Sequence, residues 1–145
     1  MRDLSLALLL LLLASCALPP KTADQPPAPV SPEARIRQIP AADPQKYAAM
    51  KDMKGWRNPY LIVRVDGVGL LDVRNSEEQT LDPDKLAEAL AKLAASAWPY
   101  GRVVAIQQIG EAKTDAEKAQ LRKNRALVAG TLESLQVAIQ WVPGA

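Results

Sequence analysis

Residues 60–73 read YLIVRVDGVGLLDV, a stretch that alternates cleanly on both sides of a turn. Leu61, Val63 and Val65 alternate with Tyr60, Ile62 and Arg64, the period of a strand with two distinct faces. Asp66-Gly67 supplies a favoured two-residue hairpin turn, which makes Val68 to Val73 the returning strand. Gly67 and Gly69 do not form a phosphate loop, because the third glycine is missing and no helix opens after them. Glu77 and Glu78 are expected in the loop that follows.

After this hairpin, residues 80–98 (TLDPDKLAEALAKLAASAW) form the clearest expected helix of the chain. Asp82 is placed to cap it and Pro83 occupies its first turn, while Leu86, Leu90 and Leu93 line one face beside Ala87, Ala94 and Ala97. Pro99 and Gly101 break this helix, and Arg102 to Ile109 reads as a third, central strand with a near-continuous apolar start. Thr114 and Glu117 have capping-box spacing and open a second helix, whose buried stripe is Leu121, Val128, Leu132 and Leu135. Val137 to Val142 forms the last strand before Pro143-Gly144. Upstream, Asp43-Pro44 starts a short helix with Tyr47, Met50 and Met53 on one side and Gly55 at its end. The expected fold is α/β of the α+β kind. It is a two-layer sandwich of a small four-stranded sheet with two main helices on one face, ordered strand, strand, helix, strand, helix, strand after the short first helix.

Composition narrows the chemistry. The chain has 145 residues, 18 Lys and Arg against 16 Asp and Glu, no His and a single Cys. A net charge of +2 is too small to attract nucleic acid through its field alone. Without His, the usual general base near neutral pH and the commonest zinc ligand are missing. One Cys forbids an intramolecular disulfide. No metal or cofactor site is expected, and no catalytic residue is assigned.

The N-terminus gives an address. Met1-Arg2-Asp3 precedes Leu4 to Leu13, apolar but for Ser5, and the small residues Ala14 and Ser15 lead to Cys16. This is the layout of a secretory signal, too short to cross about 30 Å of hydrocarbon, with Pro19-Pro20 stopping any longer helix. Residues 17–42 contain seven prolines, which favour an extended spacer over paired structure. The expected division is a signal peptide at 1–15, a lipidated Cys16 and Pro-rich tether at 16–42, and a domain at 43–145.

Leu13-Ala14-Ser15-Cys16 resembles the lipobox of bacterial lipoproteins. The resemblance implies diacylglycerol on the Cys16 sulfur, cleavage just before it, and a membrane as the first partner. Ala17, where an Asp would favour retention at the inner membrane, implies the outer membrane facing the periplasm. In pattern and topology, "IVRVDGVGLLDV", "LDPDKLAEALAKL" and "LVAGTLESLQVAIQWV" make the domain similar to the periplasmic domain of ExbD and TolR. The transmembrane helix and its Asp that serve those families are missing, so no proton-channel role follows. Residues 113–135 (KTDAEKAQLRKNRALVAGTLESL) are also similar to the OmpA-like domain of peptidoglycan-associated lipoproteins. Asp115 and Arg125 are too closely spaced to serve as that family's peptidoglycan-binding pair, and its flanking patterns are absent.

Two functions compete. The first is a non-catalytic binding or structural module with an envelope-protein or cell-wall partner. Lys118, Arg122, Lys123 and Arg125 are its candidate contact surface, against the ordinary reading of a solvated helix face. The alternative is an envelope-acting hydrolase of cell-wall material using carboxylates such as Asp66, Asp72, Glu77 and Glu78. No Gly-x-Ser-x-Gly elbow or Ser-x-x-Lys motif supports it, and a roomy cleft with facing carboxylates would be needed.

Overall fold

In a computed structural model, residues 29–50, 53–73 and 76–142 are described. Five strands form one mixed sheet: β1 (Tyr60–Val63), β2 (Val68–Asp72), β3 (Glu77–Leu81), β4 (Val103–Gln108) and β5 (Ala138–Trp141), in the order β3-β2-β1-β4-β5. The helices are α1 (Pro32–Arg37), α2 (Leu86–Lys92) and α3 (Asp115–Ser134). β1 pairs antiparallel with β2 and parallel with β4; β2 and β3 are antiparallel, β4 and β5 parallel.

The alternation in β1 sorts two cores. Leu61 and Val63 join Val104 and Ile106 beneath Leu86, Leu90, Val128 and Leu132 of α2 and α3. Tyr60 and Ile62 point to the other face, where Trp56, Tyr100, Val103 and Ala105 bury. The two central strands are therefore covered on both sides, which accounts for their nearly unbroken apolar runs. The opposite layer is aromatic: Trp56 meets Tyr47 at 5.7 Å and Tyr100 at 5.3 Å between ring centroids, both edge-on.

Several expectations need correction. The sheet has five strands, not four, because Glu77 and Glu78 lie on β3 and not in a loop. Four of its five residues are exposed, so an edge strand with little to bury carries no apolar alternation. Val63 pairs with Val68 and the Arg64 amide donates to the Gly67 carbonyl at 3.0 Å, which centres the hairpin turn on Val65-Asp66, one residue early. The helix expected over 80–98 is α2 flanked by 3₁₀ turns at Pro83–Lys85 and Ala95–Ala97, and Asp82 makes no side-chain cap bond. The short helix after Asp43 is a pair of 3₁₀ turns, Pro44–Lys46 and Met53–Gly55.

The domain also begins earlier than Asp43. Ser31 caps α1 by accepting from the Ala34 amide at 3.2 Å, with Pro32 in the first turn. Three residues apart, Ile36 and Ile39 are both buried in the α2–α3 core. The Arg102 amide donates to Pro40 and the Asp43 amide to Tyr100, both at 2.9 Å. Proline density suggested a spacer, but Pro32 starts a helix here and the two isoleucines dock it.

α3 opens with the expected capping box, Thr114 accepting from the Glu117 amide and Glu117 accepting in return. Glu117 also accepts from the Lys113 amide at 2.7 Å, and these backbone hydrogen bonds hold its carboxyl below the usual glutamate range. At its other end the Gln136 amide donates to Glu133 and the Val137 amide to Leu132, both at 2.9 Å. This Schellman pairing forces Gln136 to φ +56°, a conformation that suits glycine.

Two stability outcomes follow. Ile36→Ala should cost about 2–4 kcal/mol in urea unfolding, the ordinary range for a truncated buried isoleucine. Gln136→Gly should add about 0.5–1 kcal/mol by relieving the left-handed backbone. A near-neutral Ile36→Ala would mean that α1 is not part of the cooperative unit.

Candidate functional site

Lys118, Arg122, Lys123 and Arg125 are all exposed on α3. Spacings of four and three place Lys118, Arg122 and Arg125 on one face; Lys123 stands about 100° around the helix from Arg122. Lys118 pairs with Asp115 at 3.4 Å on the surface. The Arg125 guanidinium lies over the ring of Trp141 on β5, 4.5 Å from its centroid. Trp141 thus joins the expected cations on this surface. Its signal was strand alternation, which sets Trp141 with Ile139 on the side facing α3, while β5's outer position keeps the ring 42% exposed.

Of the expected carboxylates, Asp72, Glu77 and Glu78 border one groove and Asp66 borders another. Glu78 is bound by Arg64 through two guanidinium nitrogens, the second contact at 3.1 Å. That pair links the residue following β1 to β3 across β2, directly over Gly69, where a Cβ would collide with the Glu78 carboxylate. The hydrogen bond from Arg64 holds the Glu78 carboxyl below its ordinary range. On the same face the Tyr60 hydroxyl bonds to Gln107 at 2.8 Å, and burial raises the Tyr60 pKa.

Asp66 instead borders a cleft of about 580 Å³ between the β2–β3 hairpin and α2. Leu70, Leu81, Ala89 and Leu93 contribute apolar lining, while Asp66, Asp82, Lys85, Glu88 and Lys92 supply the charges. A shallower groove of about 450 Å³ shares Leu70, Gln79 and Leu93 and is bordered by Asp72, Glu77 and Glu78. Both were hidden in the sequence because β3 was.

Among the described residues, no group of three His, Cys, Asp or Glu side chains could hold a metal ion, and no helix is long and apolar enough to cross a membrane. Cys16 lies outside the described residues. The chain matches no protein-family model, and no curated protein or solved structure matches it.

The Arg64–Glu78 pair has a pH signature. A folded pKa below the unfolded value makes the contribution of Glu78 complete above the unfolded glutamate pKa of about 4.3, and lost as pH falls through the lower folded value. Glu78→Gln should therefore lower stability by less than about 1 kcal/mol at pH 7, and by less still at pH 3. Urea midpoints at the two pH values check this. An equal difference at both would place the effect elsewhere than in the ion pair.

Proposed function

We propose that the protein is a bacterial envelope lipoprotein, anchored by acyl chains on Cys16, whose folded domain binds a partner without catalysing a reaction. One observation carries the reading: the chain's only cysteine closes the Leu-Ala-Ser-Cys box after a ten-residue apolar segment, the place where a thiol becomes a lipid anchor. Several acyl chains hold a surface far more firmly than one, at about 0.8 kcal/mol per buried methylene. Ala17 favours the outer membrane on its periplasmic side. The domain's assets suit contact: a cationic helix face at one sheet edge, and an open groove with charged borders at the other. The likeness to ExbD and TolR extends this to a proposed common architecture, without a motor role. The partner is an envelope protein or the cell wall.

A second reading, a cell-wall hydrolase, draws on the 580 Å³ cleft with Asp66, Asp82 and Glu88 along it. The carboxylates there are interspersed with Lys85 and Lys92, a mixed border suited to a zwitterionic or peptide ligand.

Mass spectrometry of the mature chain should find acyl groups on an N-terminal Cys16, and Cys16→Ser should leave the protein in the soluble fraction. An unmodified thiol would refute the anchor. Purified protein should release no fragments from isolated cell wall. Release that disappears in Asp66→Asn or Glu88→Gln would establish the hydrolase instead.

A further inference from the structure

Trp141 is the one tryptophan of the three that faces solvent: it is 42% exposed, whereas Trp56 and Trp98 are 1% and 3% exposed. An indole under a guanidinium at 4.5 Å forms an amphipathic pair, with an apolar ring and a cation that can stay in a polar layer. Its surroundings are cationic. Between Glu117 and Glu133 the chain carries Lys118, Arg122, Lys123 and Arg125 and no acid. Asp115 tempers Lys118, but no salt bridge engages Arg122, Lys123 or Arg125 among the described residues. Ala126 and Ala129 lie close to Arg122 around the helix and keep that face low.

We infer that Trp141 and Arg125, with Lys118 and Arg122, form a docking face for anionic phospholipid headgroups of the membrane in which Cys16 is anchored. This rests on the lipid-anchor reading and names what the cationic helix face contacts. Tryptophan concentrates at membrane interfaces, where its ring sits at headgroup level. Each basic residue near an anionic surface raises partitioning roughly fivefold. Chain length adds a geometric reason. Thirteen peptide steps separate Cys16 from Pro29, a reach of at most about 45 Å. A domain of this size is about 35 Å across, so the anchor keeps it within about one diameter of the bilayer. In that layer even a weak headgroup interaction is sampled continuously.

Tryptophan emission provides the test, because the two buried indoles are insensitive to a surface event. The lipidated full-length protein is placed in vesicles of phosphatidylcholine, with or without phosphatidylglycerol, whose acyl chains carry bromine near the headgroup as a contact quencher. Emission should be quenched in the anionic vesicles only. The quenching should vanish in Trp141→Phe, weaken at least tenfold in apparent lipid dependence in Arg122→Ala/Arg125→Ala, and reverse in high salt. Flotation of the same samples reads anchoring separately. A chain that floats but shows no quenching, or equal quenching in both lipids, overturns the docking face while leaving the anchor standing. A chain that does not float overturns both. A soluble acidic polysaccharide that shields Trp141 from acrylamide, where anionic vesicles do not, would assign the face to a glycan and also overturn the proposal.

Discussion

Asn58 has no solvent exposure, and its side-chain amide is fully committed to the backbone of another segment. Its Nδ2 donates to the carbonyls of Gly101 and Val103, both at 2.7 Å, and its Oδ1 accepts from the Tyr100 amide at 2.9 Å. These three bonds join the chain entering β1 to the chain entering β4, and so fix where the central parallel pair begins. Parallel strands have no tight turn to set their register, and here a side chain sets it. Gly101 completes the junction. It sits at φ +78°, and a Cβ there would collide with the Ala41 carbonyl. Three separate segments, around Ala41, Asn58 and Gly101, therefore meet at one buried polar point. Removing the Asn58 amide would take this partner from the Val103 carbonyl and the Tyr100 N–H, at about 1–3 kcal/mol for each group left unpaired, while the Gly101 carbonyl would still accept from the Val103 amide at 2.8 Å.

A second buried amide performs the same task at the opposite end. Asn124, near the middle of α3, donates to the carbonyls of Arg64 and Val65 and accepts from Gln120 at 2.8 Å. It ties the long helix to the β1–β2 turn. With α3 held there, its buried stripe of Leu121, Val128 and Leu132 faces the sheet, and Arg125 is carried to the border above Trp141. The cationic face is thus a consequence of how the helix is pinned. Its position at the β5 edge follows from the parallel crossover from β4 to β5.

Where apolar periodicity was strong, the sequence was legible. The β1–β2 pair, β4, α3 with its capping box, and β5 all announce themselves through pattern and cap chemistry. What escaped did so for identifiable reasons. β3 is an exposed edge that needs no apolar face. α1 is six residues long and begins in a proline-rich stretch, so its two docked isoleucines had no periodic context. Asn58 and Asn124 look like ordinary surface residues, since a buried amide is recognisable only once its distant carbonyl partners are in place. Of the candidate surface, the four cations were visible and Trp141 was not, because their proximity depends on how β5 lies against α3.

The two sheet edges differ in charge and length, and the difference bears on how the domain meets a neighbouring chain. An unpaired edge strand is a template for joining another chain, and the anchor proposed above would raise the local concentration of copies. β3 begins with Glu77 and Glu78, the second ion-paired with Arg64, so this edge carries charged side chains in place of an apolar face. Arg64 holds the Glu78 carboxylate over Gly69 on the sheet face. At β5 the strand has only four residues, too short to recruit a long partner, and the Trp141 ring lies on its α3-facing side under Arg125. Charged side chains at one edge and a short strand at the other are features by which sheets avoid extension, and they leave the solvent-facing Trp141 and Arg125 available for a contact that does not extend the sheet.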